Sequence, residues 1–214
     1  MATVISLRED IHEYRKPDGT VVPSLSEYLR FMSREIYDTV MQYTLDHAAD
    51  RGKRVHAATV VLDKFGEVKC DADIVPQVKA YAQFKKDCAP EWELIERSML
   101  HDEMNIACTI DRGGTMGGAK ILLEIKAQEQ LKVPLVRAQL NGQKKIYEHE
   151  HGEGEIEKLY ALQLKQNGKY RLIEIETDDR EFMACWTLHK ALEKKPRKKK
   201  DGAKCESEST DPDD

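Results

Sequence analysis

Apolar positions recur at helical spacing early in the chain and at strand spacing in its middle. Leu29, Met32, Ile36, Val40 and Tyr43 lie three or four apart. That spacing predicts an amphipathic helix from near Glu27, capped by Ser24 or Ser26, to about Asp50. The apolar stretch Val55–Leu62 reads equally as helix or strand, and Phe65-Gly66-Glu67 is a break. Val78, Tyr81, Ala82 and Phe84 predict a helix over Val75–Lys86, after which Pro90 restarts a short element, Trp92–Leu100. The period then changes to two. Met104, Ile106, Cys108 and Ile110 alternate with Asn105, Ala107, Thr109 and Asp111. In the next predicted strand, Ala119–Ala127, Ile121, Leu123 and Ile125 share one face while Leu122, Glu124 and Lys126 share the other. The glycine-rich run Arg112–Gly118 reads as a loose hairpin between the two.

Residues 135–149 carry two signals. Asn141-Gly142 is a turn pair, yet Leu135, Val136, Ala138, Gln139, Leu140, Gln143, Ile146 and Tyr147 fit one side of a helix. Gly152-Glu153-Gly154-Glu155 reads as loop, and Leu159–Lys165 and Tyr170–Thr177 as strands joined at Asn167-Gly168. Asp178 and Glu181 have capping-box spacing. They open a last helix, Arg180–Lys195, with Phe182, Cys185, Trp186, Leu188, His189 and Leu192 facing inward and Pro196 as its stop.

The organisation expected is an N-terminal extension over 1–23, one domain over 24–195 and a disordered tail over 196–214. The 214 residues are 40% hydrophobic and 34% charged, a globular composition. No apolar run is long enough for a transmembrane helix, and the first ten residues lack the basic start and apolar stretch of a secretory signal. Five cysteines without a close pair give no disulfide framework, zinc knuckle or iron–sulfur set, so a cytoplasmic location is expected. Residues 194–200 carry six positive charges and 201–214 six acids with one lysine, while 1–193 has a net charge of −6. Contact with nucleic acid would therefore need a local basic patch rather than overall charge.

The sharpest chemical pattern is Asp111 followed by Glu124-Ile125-Lys126. Converging carboxylates bind a hard divalent cation through oxygen, which activates water and screens a phosphodiester. The adjacent lysine can orient that water or stabilise developing negative charge. Glu96 precedes Asp111 by about one strand length. His56, in Arg51-Gly52-Lys53-Arg54-Val55-His56, can ligate the same metal as a neutral imidazole. His149-Glu150-His151 reads as solvated, and Gly113-Gly114 and Gly117-Gly118 lack the context of a phosphate loop.

In this order the residues resemble the PD-(D/E)XK nucleases, in particular the RecB-type exonuclease branch found in phages. The resemblance spans roughly residues 50–193. It runs from the Arg51–His56 segment through Val78–Phe84, Glu96, Cys108-Thr109-Ile110-Asp111 and Glu124-Ile125-Lys126 to Gln139. It closes on Asn167-Gly168-Lys169-Tyr170-Arg171-Leu172 and Phe182-Met183-Ala184-Cys185-Trp186. Two positions depart from the pattern: Cys108 stands for a glycine and Gln143 for a tyrosine.

The resemblance implies an α/β fold, a mixed central sheet flanked by helices with a helical N-terminal part, and makes 135–149 a helix. It implies a metal-dependent DNA exonuclease of phage or mobile-element recombination or processing, using Mg²⁺ or Mn²⁺ and no iron–sulfur cluster. His56, Asp111 and Glu124 would be the metal ligands. Lys126, Glu124, Asp111 and Glu96 would form the catalytic set. Gln139, Gln143, Arg51 and Arg112 would contact DNA. DNA, a phage single-strand annealing or recombination protein and further copies of the chain are the partners implied, with no membrane. The rival reading is a non-catalytic accessory protein with an acidic C-terminal tail, binding single-stranded DNA or a host protein. Base stacking would need exposed aromatics, but aromatics are 7% of the chain, and Trp92, Trp186, Phe182 and Tyr81 fall on expected buried faces.

Overall fold

A five-stranded mixed sheet, covered by helices on both faces, organises the protein. The computed structural model describes residues 5–8, 11 and 13–193. The tail expected at 196–214 and the basic run at 194–200 lie outside them. Of the 1–23 extension, the described part forms a small antiparallel sheet of β1 (Ser6–Arg8), β2 (Glu13–Arg15) and β3 (Val21–Val22). This sheet is docked on the main body: Tyr14 and Val22 pack with Leu100 and Ala107, and the Ala107 amide donates to the Pro23 carbonyl.

Ser24 caps the first helix in a full capping box, its hydroxyl accepting from the Glu27 amide while Glu27 accepts from the Ser24 amide. The long helix expected over 27–50 is instead divided into α1 (Leu25–Tyr28), α2 (Arg30–Tyr37) and the start of α3 (Gln42–Phe65). The spacing was helical, but only Leu25, Tyr28 and Leu29 reach the core, and α2 buries no residue at all. Val55–Leu62 joins the same α3, which ends at Gly66 in the left-handed region (φ +79°). The helix α4 (Val75–Cys88) follows and buries Val78, Ala80, Tyr81 and Phe84.

The main sheet runs β4 (Glu91–His101), β5 (Ile106–Met116), β6 (Ala119–Lys126), β7 (Lys158–Leu164) and β8 (Tyr170–Ile175), in that order. All neighbours are antiparallel except β6 and β7, which are parallel. The helix α5 (Val133–His151) makes the crossover that a parallel pair needs. The helices α3 and α4 cover the face carrying Ile121, Leu123 and Ile125, while α1, α5 and α6 (Arg180–Leu192) cover the face carrying Ile106, Cys108, Ile110 and Leu122.

Several local expectations are corrected. Arg112–Met116 is not a loop but the second half of β5, and only Gly117-Gly118, both at positive φ, make the turn. Asn141-Gly142 is not a turn but lies inside α5. A Cβ on Gly142 would stand 2.7 Å from Leu25 Cδ1, so the glycine there serves close packing of α1 on α5. His149-Glu150-His151 ends that helix; His149 stacks on His101 and pairs with Asp102, and His151 stacks on Tyr147. The Asp178/Glu181 capping box does not form: Asp178 accepts from the Arg180 amide and pairs with its guanidinium, and Glu181 pairs with Arg137. On α6 Phe182 is buried, whereas Leu188 and Leu192 face outward.

Candidate active site

The strands β5 and β6 part company in mid-sheet, and the candidate residues occupy the fork. Their ladder ends at Arg112↔Leu123, while β6 stays paired with β7 as far as Lys126↔Gln163. Asp111 and Glu124 are the first residues beyond the last rung. A backbone amide and carbonyl released from the ladder need other partners, and site side chains supply them. The Ile125 amide donates to Asp111 Oδ2 at 2.7 Å, and the Ile125 carbonyl lies 3.0 Å from His56 Nε2, which donates to it.

That second bond fixes the imidazole of α3: with Nε2 as donor, Nδ1 faces the fork. Nδ1 stands 3.4 Å from Glu96 Oε1 and 3.6 Å from Asp111 Oδ1. One ligand atom from each of His56, Glu96 and Asp111 falls within 4.8 Å of the others. One imidazole nitrogen and two carboxylate oxygens form a suitable donor set for Mg²⁺ or Mn²⁺. Glu96 reaches the cluster from β4 through a left-handed backbone (φ +48°).

Glu124, expected as a third ligand beside His56 and Asp111, is turned the other way. Its Oε1 accepts from Lys126 Nζ and Gln139 Nε2, each at 2.7 Å, and its Oε2 accepts from Gln143 Nε2 at 2.8 Å. The Lys126 ammonium also donates to Gln139 Oε1 at 3.0 Å. The structure thus brings together His56, Glu96 and Asp111 on one side and Glu124, Lys126, Gln139 and Gln143 on the other, with the two groups adjoining at the fork.

The four expected DNA contacts divide. Gln139 is half-buried at the fork and Arg51 half-buried on α3. Gln143 and Arg112 are corrections: Gln143 is 1% exposed and spent on Glu124 and the Thr109 carbonyl, and Arg112 is 0% exposed. A side chain without accessible surface cannot meet a DNA strand. Arg112 points into the α3–α4 face, where it bonds Asp63, Thr59, Glu96 and the Asp111 carbonyl. Sequence reasoning missed Asp63 altogether, although it is 1% exposed in its side chain and binds Arg112, Lys85 and Tyr81.

The electrostatics follow from crowding the buried carboxyls of Asp111 and Glu124 together, with the half-exposed Glu96 beside them. Burial, and then the Glu124 charge, push the Asp111 carboxyl above its ordinary range. Burial works the same way on Glu124, but Lys126 and Gln143 outweigh it and hold that carboxyl low. The Lys126 ammonium is opposed by burial and held charged by Glu124 and Asp111. Burial also opposes a charged His56, yet Asp111, Glu96 and Glu124 raise it to about 9. Protonated His56 and Lys126 thus balance surplus negative charge, and a divalent cation would take over that task.

Of the four aromatics expected on buried faces, Tyr81 and Phe182 are fully buried, and Trp92 and Trp186 are half-buried against core clusters. Among the described residues no helix is long and apolar enough to cross a membrane.

No family model and no curated protein matches the sequence. Among solved structures, the chain is similar to the alkaline exonuclease LHK-Exo from Laribacter hongkongensis at 14% identity and a TM-score of 0.43, with 78% of this chain and 85% of that one covered. It is similar to the protein SSO0001 at 16% identity and a TM-score of 0.38, covering 81% and 77%. LHK-Exo in complex with dAMP aligns at 14% identity and a TM-score of 0.36, covering 79% and 86%. At these identities and scores the likenesses carry no functional weight.

Proposed function

We propose that the protein is a metal-dependent deoxyribonuclease whose active site is the fork between β5 and β6. The observation that carries this reading is the convergence of His56, Glu96 and Asp111 beside a lysine–carboxylate pair, Lys126 and Glu124. An ion pair built only for stability would not need a second and third carboxylate, those of Asp111 and Glu96, crowded against it at a cost in repulsion.

His56 Nδ1, Asp111 and Glu96 would hold Mg²⁺ or Mn²⁺, with Glu124 adjacent and turned toward Lys126. The bound cation would supply Lewis-acid activation of water and charge stabilisation at the phosphate. The other tasks fall to the chain itself. Ile125, through its amide and carbonyl, holds Asp111 and His56 in register. Lys126 uses two of its three donors on Glu124 and Gln139, and the third is free to donate to the attacking water or a phosphate oxygen. Gln139 and Gln143 orient Glu124 by hydrogen bonds, and the Lys126 charge together with the Lys126 and Gln143 bonds keeps the carboxylate ionised.

The finer reading follows the sequence resemblance. The enzyme acts as an exonuclease in phage or mobile-element recombination or DNA processing, in the host cytoplasm, as one domain over 24–195. An annealing or recombination protein and oligomerisation are its partner expectations. Incubating linear and covalently closed circular duplex with the protein and Mg²⁺ tests the exonuclease step. Consumption of the linear form alone is the expected outcome. Cleavage of the closed circle would make the enzyme an endonuclease, and survival of both would refute the proposal for duplex DNA.

A further inference from the structure

We propose that Arg112 is a positioning residue: from a buried seat on Asp63 it holds the Glu96 carboxylate in the His56–Asp111 cluster and so sets the cluster's affinity for a divalent cation. The proposal rests on the metal-site reading above and deepens it.

The first observation is backbone strain. Three non-glycine residues among those described have positive φ: Ala89, Glu96 and Asn105. Ala89 caps α4, and Asn105 lies in the turn before β5. Glu96 alone sits inside a strand, where a left-handed residue must be held by its surroundings.

The second observation is what does the holding. Glu96 Oε1 accepts from Arg112 Nη1 at 3.3 Å and lies 3.4 Å from His56 Nδ1. The same Nη1 donates to the Asp111 carbonyl at 2.6 Å, so one nitrogen ties together two of the three clustered residues. The rest of the fork is anchored away from the site. Nε donates to Asp63 Oδ2 at 2.7 Å, Nη2 donates to Thr59 at 3.1 Å, and the Tyr81 ring lies 5.8 Å from the guanidinium carbon. Asp63 is fixed in turn by the Tyr81 hydroxyl at 2.6 Å and Lys85 Nζ at 2.7 Å. A purely structural arginine would need the Asp63 side of this network and not the Glu96 side. The rigid planar guanidinium allows both at once, which a lysine cannot copy.

The test is a double-mutant cycle read by Mn²⁺ titration calorimetry on the full chain, using Arg112→Lys, Glu96→Gln and the double variant. Arg112→Lys is expected to weaken Mn²⁺ binding about 10- to 100-fold, the effect typical of losing a residue that orients a ligand, and Glu96→Gln, which removes the ligand charge itself, at least as much. The double variant is expected to bind no more weakly than Glu96→Gln alone, because Arg112 acts through Glu96. Losses that multiply in the double variant, or an Arg112→Lys protein that melts lower yet binds Mn²⁺ as the wild type does, would overturn the proposal. Should Arg112→Lys fail to fold, Asp63→Asn, which keeps the arginine but loosens its anchor, replaces it in the cycle with the same expectations. Should the wild type take up no Mn²⁺, the metal-site reading fails by itself, and a crystal structure of metal-free Arg112→Lys decides the positioning claim. A Glu96 carboxylate displaced from His56 supports it, and one still within hydrogen-bond reach refutes it.

Discussion

Gln143 stands where the resembled family has a tyrosine, and its substitution tests whether the fork is a built site. Replacing it by leucine keeps the volume and removes both amide donors. Glu124 Oε2 would lose the bond at 2.8 Å, with only 4% of the Glu124 side chain exposed, and the Thr109 carbonyl would lose a longer one at 3.3 Å. A hydrogen bond to a buried charge is worth about 1.5–3 kcal/mol, and a leucine methyl group recovers a part of it. A net loss of about 2 kcal/mol follows, which for a chain of this size lowers Tm by roughly 4–8 °C. Gln143→Glu distinguishes charge from packing. The introduced carboxyl faces Glu124, so its folded pKa is raised. Its stability contribution is then present below the ordinary carboxylate range and disappears as pH rises. The Glu variant should therefore recover stability relative to the wild type between pH 8 and pH 5, and the Leu variant should not. Scanning fluorimetry at both pH values, with a cleavage assay beside it, measures all of this. A Gln143→Leu protein that melts within a degree of the wild type would refute the claim that Gln143 holds Glu124.

Three further outcomes are expected. Asp111→Asn should raise the Tm of the metal-free protein, because the wild-type carboxyl is destabilised by burial and by Glu124, and should abolish cleavage; a lower Tm would contradict the crowding argument. In EDTA, Tm should fall as pH rises from 6.5 to 9.5. Charged His56, raised to about 9, contributes its stability fully below 6.5 and loses it through 9, a ceiling of roughly 3 kcal/mol; Mg²⁺ should reverse the slope, and thermal melts across that range would show it. Gly114→Ala should cost about 3 kcal/mol or more by denaturant titration, since a Cβ there would stand 2.0 Å from the Glu91 carbonyl oxygen, whereas Gly117→Ala, with open space but φ +59°, should cost about 1 kcal/mol.

The strands that carry the site were legible because β6 alternates cleanly: Ile121, Leu123 and Ile125 pack under α3 and α4, and Glu124 is left on the other face. The candidate acids and Lys126 followed from that alternation and from the resemblance. What escaped the sequence is long-range. Asp63 and Arg112 are 49 residues apart and look like ordinary surface charges until α3 closes over β5. Arg112 and Gln143 belong to polar types that are mostly exposed, and nothing local reveals that each has a buried carboxylate waiting. The Asn141-Gly142 pair misled in the same way: its value is the small size of glycine against Leu25, which only the tertiary contact discloses. The split of the expected 27–50 helix has a parallel cause, since periodicity reports a potential face and α2 buries no residue, only Met32 packing part-buried against the core.

The central claim is that the fork between β5 and β6 hydrolyses DNA with a divalent cation. Its most direct measurement is degradation of linear duplex and single-stranded DNA by the wild type, by Asp111→Ala and by Lys126→Ala, each with Mg²⁺, Mn²⁺ or EDTA. Cleavage by the wild type alone, lost in EDTA and in both variants while all three proteins remain folded, is the predicted result. Cleavage that survives EDTA or either substitution, or its absence from a folded wild type on both substrates, would contradict the account.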